Sequence, residues 1–259
     1  MRIATWNVNS IRARLDGLVS WLDRCQPDVV LLQETKVVDD DFPTSELLRR
    51  GYAVAIAGQK TYNGVAILSR LPLSEVTIGM PCDPPEADRR FIAARTGPIV
   101  VVSAYVPNGK DVEHPAFSEK LAWLGRFRET LESLLVRCER HLVVGGDFNV
   151  ALEPRDVWSP ETYEGKIHFH PDERRCLRAL LALGLLDAFR LFCQEPGAYS
   201  WWDYRGTSAR QNRGLRIDYL LVSDVLAPSC KNSFIEREMR GGERPSDHVP
   251  VVVDLEIAT

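Results

Sequence analysis

Short apolar runs rich in valine and isoleucine recur along the chain, separated by glycine, proline, asparagine and aspartate. Runs of this length and composition are typical of strands that are buried on both faces of a sheet. They occupy residues 3–6, 28–32, 64–68, 99–104, 141–144, 217–222 and 249–253. The pattern therefore predicts a core built from several buried strands.

Between these runs, apolar residues recur at the 3.6-residue spacing of amphipathic helices. One apolar face extends over residues 15–25 and a second over residues 121–138. A third helix is predicted from Asp172 to about Leu183, where Gly184 ends it. Strands that are apolar on both faces need cover on both faces. The sequence therefore predicts an α/β fold in which sheets pack on each other with helices outside.

No linker rich in glycine, serine or proline divides the chain, so residues 1–259 are predicted to form one domain. A dinucleotide-binding fold is the main competitor for such a pattern. However, neither G-x-G-x-x-G nor G-x-x-x-x-G-K-[ST] follows any of the apolar runs. Dinucleotide and Walker-type chemistry therefore lack support.

Charge and cysteine content limit the partners and the compartment. The formal net charge is −4, whereas non-specific nucleic-acid binders usually carry a basic excess, so any phosphate-binding surface must be local. The six cysteines contain no C-x-x-C pair, and Cys25, Cys138 and Cys176 fall on apolar helix faces, which indicates free thiols in a reducing cytosol. No signal sequence and no apolar run near the ~20 residues of a membrane span are present. We therefore expect a cytoplasmic protein without membrane contact.

Polar side chains with catalytic or metal-binding potential stand where several apolar runs stop. These residues are Asn7, Glu34, Tyr105, Asp147 and Asn149, and the segment Ser246-Asp247-His248 precedes the last run. If the last run is an antiparallel strand, its beginning lies at the same edge as the ends of the other strands. We therefore expect these groups to converge on one rim.

A cluster of this kind suits a hard cation such as Mg²⁺, which binds through one or two carboxylates, retains water and contacts a substrate phosphate. Glu34 with Asn7 or Asp247 supplies such a set. Taken alone, Glu34 would more often be a solvated loop carboxylate beside Lys36. The interpretation as a metal site depends on the other strand ends.

Asp147 and Asn149 are two residues apart and therefore point to the same side of an extended backbone. An aspartate in this position can orient or deprotonate a water, and the asparagine amide can donate to a developing oxyanion. Glycine, aspartate and asparagine are also ordinary turn formers, so the tract by itself fits a strand-to-turn transition equally well.

His248 and Asp218 form a second candidate pair. His248 is flanked by Asp247 and followed by Pro250, where a rigid turn can fix an imidazole. Asp218 lies within an apolar run, where a carboxylate is costly unless it is paired. Its partner is then His248, whose tautomer it would hold, or a backbone donor. The other histidines have loop or helix-edge contexts in which a structural or solvated role is the default: His114, His141, His168 and His170.

Seven segments together carry a resemblance to a known family. They are residues 7–12 (NVNSIR), 32–36 (LQETK), 58–66 (GQKTYNGVA), 146–149 (GDFN), 200–205 (SWWDYR), 212–218 (NRGLRID) and 245–248 (PSDH). In this order they resemble the exonuclease III family of abasic-site endonucleases and 3′-5′ exonucleases, within the endonuclease/exonuclease/phosphatase superfamily. The likeness spans nearly the whole chain, whereas G-D-x-N or S-D-H alone would indicate only the superfamily.

The resemblance implies a four-layered α/β sandwich of two mixed sheets, with the active site of a metal-dependent DNA-repair phosphodiesterase at one rim. It implies Mg²⁺ as the cofactor, with Mn²⁺ as an alternative, and Glu34 as the principal ligand. The implied ligand set is Asn7, Glu34, Asp147, Asn149, Asp247 and His248. By the same likeness Asp147 positions or activates the water, and Tyr105 and Asn149 stabilise the phosphate. Asp218 orients His248.

The implied partner is double-stranded DNA with abasic sites or with blocked or recessed 3′ ends, engaged by a monomer. By this likeness Trp201 walls a pocket for a deoxyribose without its base, and Trp202 packs in the core. The candidate DNA contacts, each of which alone is equally typical of a solvated loop residue, are Asn9, Arg89, Arg90, Asn108, Lys110, Asn212 and Arg213.

One segment departs from the endonuclease pattern, because the chain between Asn149 and Asp172 is comparatively short. It contains the tract over residues 163–170. If this loop borders the pocket, His168 or Phe169 would narrow it and favour trimming of 3′ ends over incision at abasic sites.

Two alternatives from other classes remain at this point. A phosphoesterase of the same superfamily acting on inositol phosphates or sphingomyelin would share the catalytic residues. A catalytically silent DNA-binding module would not need them, although every expected catalytic position is filled. The segments over residues 200–205 and 212–218 favour DNA over a lipid substrate.

Overall fold

The computed structural model describes residues 1–257, in which 12 strands and five α-helices are found. The strands are β1 (Arg2–Asn7), β2 (Val29–Gln33), β3 (Ala53–Ala57), β4 (Val65–Ser69), β5 (Leu73–Ile78), β6 (Phe91–Thr96), β7 (Ile99–Tyr105), β8 (Leu142–Asp147), β9 (Leu185–Asp187), β10 (Asp218–Ser223), β11 (Cys230–Ile235) and β12 (Val251–Leu255). The α-helices are α1 (Ile11–Cys25), α2 (Thr44–Leu48), α3 (Pro115–Arg137), α4 (Pro160–Tyr163) and α5 (Pro171–Leu181). Short 3-10 helices cover Asp39–Asp41, Pro154–Asp156, Phe189–Leu191, Ala227–Ser229 and Arg237–Gly241. The predicted domain extends to residue 259, and its last two residues, 258 and 259, lie outside the described range.

The strands form two mixed sheets of six strands each. The first sheet has the order β11-β12-β1-β2-β4-β3, and the second has the order β5-β6-β7-β8-β10-β9. Each sheet contains one parallel pair, β1 with β2 and β7 with β8. The other neighbouring strands described here run antiparallel.

Apolar side chains fill three interfaces between four layers. Between the sheets, Val29 and Leu31 of the first sheet share a core with Val101, Val143 and Leu220 of the second. Helices α1 and α2 cover the outer face of the first sheet, and α3 and α5 cover the outer face of the second. The central strands are therefore buried on both faces, which explains their continuous apolar sequences. The predicted four-layered α/β sandwich is confirmed.

All seven predicted strands are present, as β1, β2, β4, β7, β8, β10 and β12. Five strands were not predicted, and four of them, β3, β5, β9 and β11, are the edges of the two sheets. Three of these edge strands lack a long apolar run: β5 has no fully buried residue, β9 has only three residues, and β11 contains three consecutive polar residues. Strand β3 is apolar throughout, but three of its five residues are alanines, which are depleted in strands. The fifth, β6, lies inside the second sheet, but its apolar run stops at Arg95 after four residues, two of them alanines.

The three predicted helices are also confirmed, as α1, α3 and α5. Helix α3 begins earlier than its apolar stripe, because His114 caps it by accepting from the Ala116 N–H at 3.1 Å. His170 caps α5 in the same manner, through the Asp172 N–H at 3.2 Å. Gly184, with φ 86°, follows the end of α5. Two of the histidines thus have the structural role expected of them.

All six cysteines are free thiols, as predicted. Cys25 and Cys138 are buried, whereas Cys176 is only half-buried. Within residues 1–257, no helix combines the length and apolar character needed to cross a bilayer.

Strand ends from both sheets meet at one rim of the sandwich. Asn7 ends β1 and Asp147 ends β8, while Asp218 opens β10 directly opposite Asp147 in the antiparallel register. The sheets approach closely here because Gly145 has no side chain; a Cβ at this position would lie 2.5 Å from Leu31 Cδ1. The rim predicted from the polar strand ends is therefore present.

Candidate active site

The Asn7 side chain joins the two sheets at the rim. Its Nδ2 donates to Glu34 Oε1 at 2.7 Å and to Asp147 Oδ2 at 2.9 Å. Its Oδ1 accepts from the Asn9 backbone N–H at 3.0 Å. Because the donor group and the acceptor both have partners, the orientation of the amide is fixed. Asn7 therefore sets the separation of two carboxylates, one beside each sheet.

His248 lies on the other side of Asp147. Its Nδ1 is 2.9 Å from Asp218 Oδ2, and its Nε2 is 3.6 Å from Asp147 Oδ2. Asp218 is held in turn, since its N–H and that of Ile217 donate to Ser200 Oγ, each at 3.1 Å. The predicted pairing of Asp218 with His248 is confirmed.

Burial and neighbouring charges shift the pKa values of Asp147 and His248. Burial raises the pKa of Asp147 to about 7, and the Asp218 and Glu34 carboxylates add to the shift. Burial disfavours the charged imidazole, but the Asp218 and Asp147 carboxylates outweigh it and raise the pKa of His248 to about 10. At neutral pH the rim therefore holds an imidazolium beside a carboxyl group that titrates near neutrality.

Glu34 remains ionised although it is largely buried. Burial opposes ionisation, but the Lys36 ammonium and the Asn7 amide outweigh it and hold the pKa of Glu34 below its ordinary value. Lys36 Nζ lies 2.7 Å from Glu34 Oε2 and 2.5 Å from Asn9 Oδ1. The backbone of Glu34 is left-handed, with φ 51°, where the chain turns out of β2.

Glu34, Asp147 and His248 form a cluster suited to a metal ion. Each offers one ligand atom, and these atoms lie within 4.8 Å of one another. The raised pKa of Asp147 reflects its burial and the repulsion from neighbouring carboxylates, both of which a divalent cation would relieve. Carboxylate oxygens are also the donors that hard cations prefer. The residues present therefore fit a resident metal ion.

Asp247 lies at the same rim, but its carboxylate has other partners. Its Oδ1 accepts from Asn9 Nδ2 at 2.9 Å, and its Oδ2 accepts from Trp201 Nε1 at 3.0 Å. Asp247 therefore lies outside the three-residue cluster and connects the rim to Trp201, the predicted pocket wall.

Tyr105 and Asn149 flank Asp147 on the second sheet. Tyr105 is the register partner of Asp147 between β7 and β8. Burial and the neighbouring carboxylates raise the pKa of Tyr105 well above its ordinary value, so it remains a neutral hydroxyl. The Asn149 N–H donates to Asp147 Oδ1 at 2.9 Å, and its Nδ2 donates to the Val106 carbonyl at 3.0 Å. Asn108 Nδ2 completes the contact by donating to Asn149 Oδ1 at 3.2 Å.

Three of the predicted DNA contacts lie on the surface around the rim. Arg90 Cζ stands 4.7 Å from the centroid of the Tyr105 ring, and Arg213 Cζ stands 5.1 Å from that of Trp158. Lys110 is exposed on the loop after β7. Lys110 and Arg213 are exposed, whereas Arg90 is partly buried and forms an ion pair with Asp88 at 3.2 Å.

Asn212 and Arg89 have partners inside the protein. Asn212 Oδ1 accepts from Trp202 Nε1 at 3.2 Å, and its Nδ2 donates to the Gly197 carbonyl at 3.0 Å. Arg89 is half-buried, and its backbone N–H donates to Gln59 Oε1 at 2.8 Å. Trp202 is buried, which confirms the packing role predicted for it. The Asn212 amide therefore supports the loop that carries it.

The residues predicted to line the pocket lie beside His248. The ring centroid of Trp201 is 6.3 Å from that of His168 and 6.5 Å from that of His248. His168 Nδ1 lies 2.8 Å from the Asn149 carbonyl, which can only accept, so Nδ1 carries the proton. Burial lowers the pKa of His168 to about 3, and the ring is neutral. Phe169, the other residue predicted to narrow the pocket, is fully buried in the apolar cluster beneath it.

Three residues that organise the site had no role predicted from the sequence: Lys36, Ser200 and Lys120. Lys36 and Ser200 lie within the motifs over residues 32–36 and 200–205. Their partners are set by the fold, so the motifs did not indicate these contacts. Lys120 is fully buried on α3, four residues before Leu124 of the same apolar face. A charged residue in phase with an apolar stripe is a signal that points to such a group.

Known proteins resemble the chain over nearly all of its length. Residues 4–248 match the Endonuclease/Exonuclease/phosphatase family. Exodeoxyribonuclease III of Haemophilus influenzae is 34% identical over 265 residues, covering 97% of this chain and 98% of the relative. The 3′ phosphatase NExo from Neisseria, solved with a product DNA hairpin, is 39% identical with a TM-score of 0.96 and covers 99% of this chain and 100% of its own. An AP endonuclease from Archaeoglobus fulgidus is 36% identical with a TM-score of 0.95 and the same coverage.

The chain belongs to the Endonuclease/Exonuclease/phosphatase family. Within it, the chain is a nuclease of the exonuclease III type, a DNA-repair phosphodiesterase. The family is metal-dependent, in agreement with the Glu34, Asp147 and His248 cluster. These relatives are enzymes named for activity on DNA, so neither the catalytically silent module nor the lipid phosphoesterase is favoured.

Proposed function

We propose that the chain is a Mg²⁺-dependent hydrolase of phosphate esters in double-stranded DNA, active at 3′ ends and at abasic sites. The observation that carries the proposal is the pairing at the rim of Asp147, whose pKa is about 7, with the imidazolium of His248 at 3.6 Å. A base poised near neutral pH can activate water, and an adjacent cation can offset charge on a phosphate.

In this mechanism Asp147 aligns a water opposite the leaving 3′-oxygen and accepts its proton as the water attacks phosphorus. The carboxylate is held for this task, since Oδ1 accepts from the Asn149 N–H and Oδ2 from Asn7 Nδ2. The P–O bond to the leaving 3′-oxygen breaks, and the departing oxygen takes up a proton from bulk water to form the 3′-hydroxyl. Precise alignment of this kind supplies a large part of catalysis in displacement at phosphorus.

His248, Tyr105 and Asn149 face the charge that develops on the phosphate. Asp218 keeps the imidazole charged and fixes its orientation through Nδ1, which leaves the Nε2–H as a donor. The neutral Tyr105 hydroxyl and the Asn149 amide add further donors. Mg²⁺ at Glu34 and its neighbours would supply Lewis-acid stabilisation of the same charge. The groups around that ion are proposed to be Asn7, Glu34, Asp147, Asn149 and Asp247. His248 is protonated on both ring nitrogens and has no lone pair for the ion, so it contacts the phosphate instead.

One observation favours a narrower activity, confined to 3′ ends. The buried ring of His168 lies beside Trp201. In the proposed mechanism, a deoxyribose without its base would have to enter this space during incision at an internal abasic site. A terminal 3′-phosphate need not enter such a pocket. Among the similar structures, NExo is described as a 3′ phosphatase and the Archaeoglobus protein as an AP endonuclease. Similarity to these structures therefore supports both the broad activity and the activity confined to 3′ ends, and His168 favours the latter.

The test compares three matched duplexes that carry an internal abasic site, a 3′-phosphate or an unmodified recessed 3′ end. We expect Mg²⁺-dependent hydrolysis that EDTA abolishes and that excess duplex DNA inhibits, while phosphoinositide vesicles do not. Release of the 3′-phosphate much faster than abasic incision supports the narrower activity, and equal rates remove it. The absence of hydrolysis on all three duplexes would refute the proposal.

A further inference from the structure

A buried ion pair lies behind the active site, between the two helices that cover the second sheet. Lys120 of α3 and Glu173 of α5 both have 0% exposed side chains, and the Lys120 ammonium donates to the Glu173 carboxylate. Lysine and glutamate are rarely buried, and apolar residues of similar volume are often as stabilising as a buried pair. Packing of α3 on α5 therefore does not by itself account for these residues.

The Lys120 ammonium has two further partners, both in the active-site loops. Its Nζ donates to the Asn149 carbonyl at 2.7 Å and to the Asn108 carbonyl at 3.1 Å. With Glu173, these contacts use all three protons of the ammonium. Asn108 follows β7 and Asn149 follows β8, so one side chain holds the loops at the ends of two neighbouring strands.

These loops carry amides that are placed beside the catalytic carboxylate. Asn149 is left-handed, with φ 52°, and its N–H contacts Asp147 Oδ1. Its side-chain oxygen accepts from Asn108 Nδ2 at 3.2 Å. The direction of the Asn149 side chain therefore depends on where its own backbone is held. Lys120 and His168 are the two groups that contact its carbonyl oxygen.

The surroundings of the pair restrict its movement. Glu173 Oε2 accepts from the His170 N–H at 3.0 Å, which ties the carboxylate to the start of α5. Gly109 packs on the stem of the lysine, because a Cβ there would lie 3.0 Å from Lys120 Cδ. The Glu173 carboxylate also compensates the buried charge of the ammonium where it holds the two carbonyls.

We propose that Lys120 and Glu173 are a positioning pair for the hydrolytic reaction, which holds the Asn108 and Asn149 amides at the phosphate. This inference rests on the proposed function. Neither residue touches substrate, and both act through the two asparagines. A displacement of about 1 Å at such groups can reduce turnover on the order of 100-fold without loss of the fold.

The principal test replaces both charges with apolar side chains of similar size, Lys120→Met with Glu173→Leu. Removing both partners avoids leaving an unpaired buried charge, so thermal unfolding should stay close to that of the unsubstituted protein. We expect kcat on a 3′-phosphate duplex to fall roughly 10- to 100-fold, with KM changed less than about threefold. The matched control is Arg140→Ala with Asp224→Ala, which removes a surface pair far from the rim and should leave kcat unchanged.

A double-mutant cycle separates positioning from a general structural effect. In an Asn149→Ala background the same apolar pair should cause little further loss of kcat, because the amide that it positions is already absent. If the double variant folds and keeps its kcat, or if the two losses multiply in full, the inference is wrong. Glu173→Gln is the second variant should the apolar pair fail to fold. It keeps the volume and the His170 contact, and an unchanged kcat in it would likewise overturn the proposal.

The two proposals fail in different ways. If the unsubstituted protein shows no Mg²⁺-dependent hydrolysis of DNA, the proposed function is wrong. If it is active and the Lys120 and Glu173 variants match it in kcat, only the positioning role is wrong.

Discussion

The catalytic rim and the loops proposed to face DNA are constructed in different ways. Asp147, Asp218 and His248 are buried at or next to strand ends, and hydrogen bonds within the protein hold each of them. His168 and Arg213, in contrast, lie on loops. His168 is buried beside Trp201 and bound to the Asn149 carbonyl, and the exposed Arg213 lies over the Trp158 ring. The strands hold the catalytic side chains in place, whereas the loops can vary and so determine which substrate reaches those side chains. Substitutions on the two sides should therefore have different consequences.

The largest effect is expected for Asp147→Asn, which removes the proposed base with almost no change in volume. We expect kcat to fall on the order of 10²- to 10⁴-fold on every DNA substrate, because general base catalysis contributes about that much. Single-turnover hydrolysis of the 3′-phosphate duplex measures it. Asp224→Asn is the control, as this carboxylate is exposed and distant. Loss on one substrate alone would mean that the rim does not serve all of them.

The pH dependence of kcat/KM should report the ionisation of Asp147 and His248. Asp147 must be ionised, and its pKa is about 7, so kcat/KM should fall as pH drops below this value, by about 100-fold at pH 5. His248 must be protonated, and its pKa of about 10 keeps it so until alkaline pH. The expected profile is a plateau between these limits, whose apparent values belong to the coupled pair.

Two changes test which residue produces each limb of the pH profile of kcat/KM. Asp218→Asn removes a carboxylate that raises the pKa of His248, so the alkaline limb should move to lower pH. A higher Mg²⁺ concentration should move the acid limb to lower pH, because a nearby cation stabilises the carboxylate. A profile without an acid limb at any Mg²⁺ concentration would contradict the assignment of Asp147 as the base.

On the loop side, His168→Gly should open the pocket. His168 is left-handed, with φ 70°, a conformation that glycine adopts without strain, so the backbone should be preserved. We expect incision at an internal abasic site to rise about 10-fold or more, on the scale of removing a steric block. Release of a 3′-phosphate should change little.

The control for this prediction lies on the same loop. Lys166→Gly adds flexibility at an exposed position without opening the space beside Trp201, and it should leave both rates unchanged. If His168→Gly and Lys166→Gly raise abasic incision equally, loop flexibility and not the imidazole limits the reaction. If neither raises it, the narrow pocket has another cause.

The same division explains what the sequence could predict. The groups of the rim follow apolar runs whose ends are visible in the sequence, so Asn7, Glu34 and Asp147 could be grouped before their contacts were known. Asp218 was recognisable because a carboxylate inside an apolar run requires a partner. The edge strands β5 and β11 were missed because exposure on one side removes the apolar signal that identifies central strands. Strand β3 was missed because its apolar run consists mostly of alanine, which is depleted in strands.

Loop residues were harder to assign, because their partners are distant in the sequence. Asn212 was predicted to contact DNA, but its amide is bound to Trp202 and Gly197, and no local pattern indicates this. The contacts of Lys120 likewise depend on how two helices cover the sheet. Trp201 is intermediate, since its motif indicated a pocket wall but not its hydrogen bond to Asp247.

The smallest effect is expected where the two regions meet, at the hydrogen bond from Trp201 Nε1 to Asp247 Oδ2 at 3.0 Å. Trp201→Phe keeps an aromatic wall and removes this donor, so we expect about a fivefold loss of kcat/KM, equivalent to ~1 kcal/mol for one hydrogen bond. Half-saturation by Mg²⁺ should also shift, because the freed carboxylate oxygen can turn towards the cluster. Trp202→Phe loses an indole donor to Asn212 instead, and it should lower the melting temperature while sparing kcat/KM. If Trp201→Phe matches the unsubstituted protein in both rate and Mg²⁺ requirement, Asp247 does not couple the pocket to the chemistry and Trp201 serves as a wall alone.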